Sequence, residues 1–394
     1  MTEPATPWNR PLQLAAAALL LQALLLFIGG FIGGADPASP GNYVRYDGVH
    51  YLTIATDGYR IGYCGPGNKT LLPIEGAPRP GGLDVYCGNA GWFPGWSAPV
   101  AMLVKSGMNP YRAAVLCSWL FRALSLWLLA AWLVRQRVDG RATVATMTAA
   151  AAFPGSIYYL SAFPLGVTVL MLLLLIEGCR RETWLLAGLA AAYAAFSYGA
   201  GWLGPVGVGA CLLWLAMERR QWRPFLLSAA VGGGALAGLL AVFAVMQWQT
   251  GQWRAYFLQQ SIFEHHFGFA NIAMHLGDSL RTVSTAPLAL SSAKDWQTLV
   301  VLAWLLLTAG VVLRRYRQQQ LPALLALAAA VASWIFPKMG GIEGSFSEVR
   351  FESMLLPLVC TLPQLPRPAQ WLTAAVFVVL APLTTAQFFL NQIV

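Results

Sequence analysis

The fold class is decided by the stretch Leu12-Gln13-Leu14-Ala15-Ala16-Ala17-Ala18-Leu19-Leu20-Leu21-Gln22-Ala23-Leu24-Leu25-Leu26-Phe27-Ile28, which continues to Gly34 without a charged residue. An α-helix rises about 1.5 Å per residue, so roughly 20 apolar residues cross the ~30 Å hydrocarbon layer of a bilayer. The run Leu12–Gly34 follows Arg10 and is longer than the apolar core of a secretory signal. It predicts an uncleaved first membrane-spanning helix.

The composition of the whole chain agrees with this interpretation. Apolar residues make up 57% of the 394 residues and charged residues only 10%, far less charge than a soluble surface needs. The net charge of +9 comes largely from short arginine clusters between apolar runs, which indicates membrane topology rather than a nucleic-acid partner. The sequence predicts an all-α polytopic integral membrane protein in which residues 1–394 form one transmembrane domain.

About eleven apolar runs are bounded by arginine clusters, glycine or proline. They are Leu12–Gly34, Ala113–Val134, Thr143–Ser161, Pro164–Gly178, Trp184–Tyr198, Trp202–Met217, Pro224–Trp248, Trp296–Leu313, Leu321–Phe336, Ser353–Leu365 and Trp371–Leu390. Several are shorter than a full crossing, and the run Ser353–Leu365 contains Pro357 and Pro363.

The connecting loops differ in charge from one side to the other. With a cytoplasmic N-terminus, the short loops on that side all carry arginine, as the positive-inside rule requires. The other side receives the segments 35–112, 249–295 and 337–352, which hold 11 of the 16 acidic residues and all four histidines. Acidic residues avoid hydrocarbon and must lie in some loop, which alone could explain this distribution. The alternative is that the residues of a catalytic site lie on the outer face. The compact loops and the lack of an organelle signal favour the plasma (inner) membrane of a bacterium.

The first outer loop contains Asn42-Tyr43-Val44-Arg45-Tyr46-Asp47-Gly48-Val49-His50-Tyr51-Leu52-Thr53-Ile54-Ala55-Thr56-Asp57-Gly58-Tyr59. Apolar residues recur at helical spacing over 49–55 and Gly58 is a stop signal, which predicts a short amphipathic helix at the membrane surface. Asp47 lies at its N-terminal end, where capping alone could explain a carboxylate. Because Arg45 and His50 are close by at the mouth of the bundle, Asp47 is also a candidate general base for a hydroxyl group.

These residues carry a family resemblance. Tyr46-Asp47-Gly48-Val49-His50-Tyr51-Leu52-Thr53-Ile54-Ala55 with Gly58-Tyr59 resembles the Trp-Asp-[Ser/Gly]-x-[His/Trp]-[Tyr/Phe]-Leu-x-Ile-Ala signature of PIG-V-type mannosyltransferases, which have the GT-C fold. Further segments resemble family stretches in the same order: Trp92-Phe93-Pro94-Gly95-Trp96-Ser97-Ala98-Pro99, Phe153-Pro154-Gly155-Ser156, Ser161-Ala162 and Arg350-Phe351. The chain departs from the family at Tyr46, where tryptophan is usual, and in Phe163-Pro164-Leu165-Gly166, which lacks an acidic residue.

The resemblance implies a GT-C-like bundle and an inverting glycosyltransferase. Such an enzyme moves a hexose, mannose by family expectation, from a polyprenyl-phosphate carrier to a lipid, glycan or protein acceptor at the outer face. By resemblance Asp47 is the catalytic base. The departing phosphate needs a cation, for which Arg350 is the first candidate because its planar fork matches phosphate, and Lys338 is the second. A lipid-headgroup contact or a salt bridge to Glu348 or Glu352 is the alternative role for Arg350.

Substrate contacts are expected from polar and aromatic residues of the outer segments. The candidates are Arg45, Tyr46, His50, Trp92, Trp96, His265 and His266. No histidine pair has a ligand spacing with a matching carboxylate, so a divalent metal is not favoured, and the lipid-linked sugar is a co-substrate rather than a cofactor. The aromatic run 252–264 suits an interfacial belt or, less readily, sugar stacking.

Two of the six cysteines lie in the first outer loop, where oxidising conditions permit a disulfide. We expect Cys64 and Cys87 to pair and brace that loop, adding about 3 kcal/mol by the chain-entropy estimate. Two free thiols are the alternative.

Two other classes of function remain open. A flippase or transporter of a lipid-linked sugar could use the same arginines and aromatics without a base, and a non-catalytic membrane partner subunit needs no acidic residue near Gly166. Transporters more often show paired repeats and mid-membrane charges. We see no clear repeat here, and the charges collect at one face. The glycine-rich stretches 199–209 and 232–238 lack a P-loop lysine and predict close helix packing.

Overall fold

The computed structural model describes residues 9–64, 71–72, 86–261, 266–316, 321–341 and 348–393. The α-helices in these ranges are α1 (Asn9–Ile32), α2 (Asp47–Asp57), α3 (Ser97–Lys105), α4 (Pro110–Arg135), α5 (Gly140–Ala151), α6 (Leu165–Arg180), α7 (Trp184–Ser197), α8 (Leu203–Arg219), α9 (Trp222–Thr250), α10 (Ala255–Gln260), α11 (Phe269–Thr285), α12 (Ala293–Arg314), α13 (Leu321–Met339), α14 (Glu348–Glu352) and α15 (Arg367–Phe389). Shorter 3-10 segments lie at Pro40–Tyr43, Ser156–Tyr159, Leu290–Ser292 and Ser353–Gln364.

Six helical segments of the described chain are long and apolar enough to cross a membrane. They are Arg10–Ile32, Pro110–Arg135, Trp222–Thr250, Leu290–Arg314, Leu321–Met339 and Arg367–Phe389. Strands occupy only a few residues. The prediction of an all-α, membrane-embedded protein is therefore confirmed.

The other predicted runs are helical but shorter. Helices α6, α7 and α8 have 16, 14 and 17 residues. The prediction of a single span over 143–161 is wrong, because α5 ends at Ala151 and a separate 3-10 turn begins at Ser156. Between them lie Pro154, which has no N–H to donate, and Gly155, which has a φ of 74°.

The run Ser353–Leu365 also differs from the prediction of a membrane α-helix. It forms the 3-10 segment Ser353–Gln364, whose side chains are buried almost throughout. Pro357 and Pro363 each remove a backbone donor, which disfavours a regular α-helix here. The segment is thus a core element wrapped by neighbouring helices.

Glycine allows close packing between several helices, as the sequence predicts. A Cβ on Gly234 of α9 would lie 2.2 Å from the Gly188 carbonyl oxygen of α7, and a Cβ on Gly238 would lie 2.1 Å from that of Ala192. Helix α8 meets α13 in the same way at Gly207. Small residues let these backbones approach, so dispersion contacts can form where lipid provides no hydrophobic driving force.

The segments predicted to face outward contain two small sheets. Strands β1 (Ile61–Cys64), β2 (Leu71–Leu72) and β3 (Tyr86–Gly88) form an antiparallel sheet in the order β2-β1-β3. A disulfide joins Cys64 to Cys87 across β1 and β3, which confirms the predicted pairing. Strands β4 (His266–Phe267) and β5 (Gly340–Gly341) pair antiparallel and join the second and third outer segments.

One end of the bundle gathers arginines from separate loops. Glu177 of α6 accepts hydrogen bonds from Arg135 of α4 at 3.0 Å, from Arg180 at 2.7 Å and from Arg181 at 2.6 Å. These arginines come from two of the short basic loops. The structure brings them to the same end of α4 and α6.

Candidate functional site

Helix α2 holds Asp47 against the core of the bundle. The helix covers Asp47–Asp57 and ends before Gly58, as the apolar spacing predicts, and Gly58 has a φ of 79°. A Cβ on Gly48 would lie 3.1 Å from the Ala162 carbonyl oxygen, and the Ala162 N–H donates to the Tyr43 carbonyl at 2.9 Å. Glycine at position 48 therefore lets the start of α2 rest directly on the segment that precedes α6.

Asp47 forms an ion pair with Arg350, which is 303 residues further along the chain. The Arg350 side chain is 9% exposed and that of Asp47 is 25% exposed, so the arginine is buried while the carboxylate keeps some access to solvent. The guanidinium also lies 5.7 Å from the Phe163 ring centroid and 5.5 Å from that of Phe351. The ion pair is therefore flanked by two aromatic rings.

The charges of the pair stabilise each other. Burial by itself raises the pKa of Asp47, but the charge and hydrogen bond of Arg350 outweigh it and hold that pKa below its usual range. Burial likewise opposes the charge on Arg350, yet nearby Tyr198 and Asp47 raise the pKa of Arg350 above its usual value. Asp47 is therefore a carboxylate and Arg350 a cation at neutral pH.

His50 and Trp92 complete this cluster. Their rings stack with centroids 3.6 Å apart and an interplanar angle of 9°, and the Trp92 side chain lies close enough to Asp47 to help lower the pKa of that carboxyl group. The Tyr59 hydroxyl donates to the Trp92 carbonyl at 2.7 Å, which fixes the tryptophan backbone. Burial lowers the pKa of His50 although the Asp47 charge opposes this. A largely neutral imidazole thus lies beside the carboxylate.

Arg45 and Tyr46, two of the predicted substrate contacts, bind the C-terminal end of the chain. Arg45 donates to the Phe389 carbonyl at 2.7 Å and to the Asn391 side-chain oxygen at 2.8 Å, and the Tyr46 hydroxyl donates to the Phe388 carbonyl at 3.3 Å. Both side chains therefore attach the residues before Asp47 to the end of α15.

Trp96 does not reach the cluster. Its side chain is fully buried, and its indole N–H donates to the Ser118 hydroxyl of α4 at 3.2 Å. The expectation that Trp96 contacts substrate is therefore corrected to a packing role. In the sequence alone, an aromatic residue of a predicted outer loop looks the same whether it contacts substrate or packs in the core.

Lys338 lies in a second buried ion pair. Its ammonium is 3.2 Å from the Glu352 carboxylate, and the two side chains are 2% and 0% exposed. The Gln297 amide also donates to Glu352 at 2.9 Å. Glu352 is thus bonded to Lys338 and Gln297. Arg350 pairs with Asp47, and the side chain of Glu348, the other acidic residue named in the alternative role for Arg350, lies outside the described residues.

The two adjacent histidines contribute little evidence. His265 lies outside the described residues, and so does the side chain of His266, whose backbone pairs with Gly341. Within the described ranges, no group of three or more His, Cys, Asp or Glu side chains is arranged to hold a metal ion.

Arg122 is a buried charge that the sequence motifs did not single out. It lies inside α4 and is fully buried. Its signal was present in the sequence, because an ionisable residue within an apolar run of membrane length is by default a functional candidate. The arginine clusters at the ends of the runs are the stronger pattern, and they indicate topology rather than this residue.

Comparison of the whole chain with known proteins gave no match to any family model and no relative among curated proteins.

Proposed function

We propose that this chain is a membrane-embedded inverting glycosyltransferase. It moves a hexose from a polyprenyl-phosphate carrier to an acceptor hydroxyl at the outer face of the membrane. The observation that carries the proposal is the Asp47–Arg350 pair beside aromatic rings, because it joins a carboxylate that can act as a base to a cation that can bind phosphate.

The contacts between distant segments support the proposal. The segments that resemble PIG-V-type enzymes lie in four parts of the sequence, yet they meet around Asp47. Gly48 rests on Ala162, and the Trp92 side chain lies beside Asp47. A Cβ on Gly155 would lie 2.8 Å from the Val349 carbonyl oxygen, next to Arg350. This convergence is expected if the motifs serve one site.

The reaction assigns one role to each charge. The Asp47 carboxylate takes the proton from the acceptor hydroxyl, whose oxygen forms the new bond to the anomeric carbon. The bond from that carbon to the phosphate oxygen breaks, and its electron pair leaves with the polyprenyl phosphate. Arg350 stabilises the negative charge that develops on the phosphate, a contribution of about 3–4 kcal/mol for a well-placed donor.

The ion pair provides a way for donor binding to raise the basicity of Asp47. A phosphate group that binds Arg350 competes with Asp47 for the guanidinium, because both are anions that match its planar fork. When the phosphate takes Arg350, burial continues to raise the pKa of Asp47 while the opposing charge is withdrawn. Asp47 then becomes a stronger base when the donor is bound.

The proposal includes the finer topology. The chain changes side at each of the eleven apolar runs, with the run 143–161 divided into α5 and a 3-10 turn and the run 353–365 passing through the bundle as a buried 3-10 segment. The arginine clusters face the cytoplasm, and α2 lies at the outer surface, where the lipid tail of the donor stays in the bilayer.

The first test compares sugar transfer by Asp47→Asn with transfer by the unmodified protein and by Asp57→Asn. Membranes at matched expression receive radiolabelled polyprenyl-phosphate mannose, and label is counted in lipid and protein fractions. Asp57 lies on the same helix but is exposed and 3.6 Å from Arg60, so it serves as the control. We expect Asp47→Asn to lose about 10²- to 10⁴-fold in rate and Asp57→Asn to keep its activity. Equal transfer by all three proteins would exclude Asp47 as base.

Transport of a lipid-linked sugar is the second candidate, and Arg122 is the observation that favours it. Transporters place ionisable residues within their spans, as Arg122 is placed in α4. Its hydrogen bonds, however, go to side-chain and backbone groups of the neighbouring segments. A transporter would move labelled donor across proteoliposomes with Asp47→Asn unchanged and would form no glycosylated product.

A further inference from the structure

Arg122 is a buried charge at the middle of α4. It is fully buried, its Nε donates to the Gln22 side-chain oxygen of α1 at 2.6 Å, and another nitrogen donates to the Ala150 carbonyl of α5. Its guanidinium lies 4.4 Å from the Tyr159 ring centroid. In the described part of the chain no carboxylate pairs with it. Such a charge is costly within a membrane, which implies a specific role.

The groups that solvate Arg122 belong to the place where α5 breaks. Ala150 lies in the last turn of α5, where carbonyl groups lose their helical partners. The Gln22 amide, which accepts from Arg122, donates to the Ser156 carbonyl at 3.1 Å on the other side of the break. Tyr159 is in the same 3-10 turn as Ser156. Arg122 and Gln22 therefore hold both sides of the break in one geometry.

A chain of hydrogen bonds leads from this break to the ion pair. The Tyr159 hydroxyl donates to the Ser353 carbonyl, and the Ser353 hydroxyl donates to the Arg350 carbonyl at 2.6 Å. Gly155, within the break, also packs against the Val349 carbonyl. The short helix α14 that carries Arg350 thus rests on the segment that Arg122 organises.

We infer that Arg122 is a positioning residue: through Tyr159 and Ser353 it sets the location of Arg350 opposite Asp47. The inference rests on the proposed function only in taking Arg350 as the ligand of the donor phosphate. It concerns the placement of a charge, so it can be tested without sugar transfer. A purely structural Arg122 would stabilise the fold and leave the electric potential at Asp47 unchanged.

The test measures that potential with a thiol at position 47. The background is Asp47→Cys with Cys117, Cys179, Cys211 and Cys360 replaced by alanine and the native disulfide kept. The full-length protein is treated with an anionic and a neutral methanethiosulfonate, and the ratio of their rates reports local positive charge. Arg350→Gln should lower this ratio about tenfold, because it removes one nearby charge at a partly exposed site.

Three variants in this background test the inference. Arg122→Lys and Tyr159→Phe should each lower the ratio by at least about threefold, as displacement of a nearby charge does. Ser228→Ala, which removes a 2.8 Å hydrogen bond between α9 and the Gly209 carbonyl of α8, should leave it unchanged. Tyr159→Phe keeps the ring and loses only the hydroxyl, so it tests the link even if Arg122→Lys fails to fold.

The outcomes separate the two proposals. Unchanged ratios in Arg122→Lys and Tyr159→Phe, with lowered melting temperatures, would overturn the positioning role. An unchanged ratio in Arg350→Gln would overturn its premise that Arg350 faces position 47. Lowered ratios in a protein that, with Asp47 intact, transfers no sugar would support the positioning role and reject the glycosyltransferase.

Discussion

At the scale of single residues, the site depends on two charges that would be unfavourable alone. Asp47 and Arg350 are both largely removed from water, and each offsets the cost of burying the other. Removing Arg350 leaves a buried carboxylate without its counter-charge. The consequence is a change in the protonation of Asp47 as well as the loss of a phosphate ligand.

Arg350→Gln should therefore alter the pH dependence of transfer. The reactive form of Asp47 is deprotonated, and Arg350 lowers its pKa while burial raises it. Without Arg350 the acid limb of kcat/KM should move to higher pH, and kcat should fall about 10²- to 10³-fold at its optimum. Transfer measured across a pH series with saturating and limiting donor checks both expectations.

The control is Arg112→Gln, which changes an exposed arginine at the start of α4. It should keep both the rate and the pH profile. An Arg350→Gln protein with a reduced rate but an unmoved acid limb would show that Arg350 does not influence the base.

At this scale the sequence indicated which residues lie near Asp47 better than which partners they have. The motif identified Asp47, and the outer-loop residues His50 and Trp92 do lie beside it. The partner of Arg350 could not be read from the sequence, because Glu348 and Glu352 are adjacent and Asp47 is 303 residues away. Which of these acidic residues pairs with Arg350 is determined by tertiary contacts. Burial of Trp96 depends on tertiary contacts in the same way.

At the scale of helices, the bundle depends on a few glycines whose surroundings are asymmetric. On α9, Gly234 and Gly238 contact the backbone of α7. A Cβ added to Gly232 or Gly233 would instead meet no atom within 4 Å, because these two glycines face outward. Neighbouring glycines of one helix thus have opposite tolerance for a methyl group.

Gly238→Ala should destabilise the protein strongly. The new Cβ would lie 2.1 Å from the Ala192 carbonyl oxygen, so α7 and α9 must separate, at a cost of about 1–3 kcal/mol for overpacking. Gly232→Ala should be neutral or slightly stabilising, because alanine favours helix and meets open space. Thermal unfolding of the two purified variants in one detergent provides the measurement. Equal melting temperatures would contradict the close contact.

Helix positions were predictable from hydropathy, while helix ends were less so. The apolar run 143–161 continues across the break after Ala151. Hydropathy does not show that a proline and a glycine with positive φ interrupt the helix there. Similarly, Ser353–Gln364 is apolar enough for a span but adopts a 3-10 path. In both places the break supports the candidate site.

At the scale of the whole molecule, the bundle has long helices and unusually short ones. Helix α7 has 14 residues and is about 21 Å long, less than the ~30 Å hydrocarbon layer. Its C-terminal end contacts the outer loop, where the Gly95 N–H donates to the Phe196 carbonyl at 3.1 Å. Its start lies near α6, whose basic end holds Arg180. If α7 crosses, the bilayer must thin locally beside it.

Cysteine labelling can test whether the short helices cross. In a background without the four free thiols, Ala200→Cys and Asp57→Cys should react with a membrane-impermeant maleimide added outside intact cells. Glu182→Cys, at an exposed position before α7, should react only after permeabilisation. Reaction of Ala200→Cys and Glu182→Cys from the same side would show that α7 does not span the membrane.

The attachment of Arg45 and Asp47 to distant residues also imposes an order on biosynthesis. Arg350 follows Asp47 by 303 residues, and Phe389 follows Arg45 by 344. A ribosome adds about 5–20 residues per second, so roughly 15–60 s pass between the synthesis of Asp47 and the synthesis of Arg350, its counter-charge. Under the proposed function, a nascent chain at that stage has a base but no phosphate ligand. Chains that terminate before Arg350 therefore lack the phosphate ligand, and we expect them to consume the lipid-linked sugar far more slowly than full-length chains.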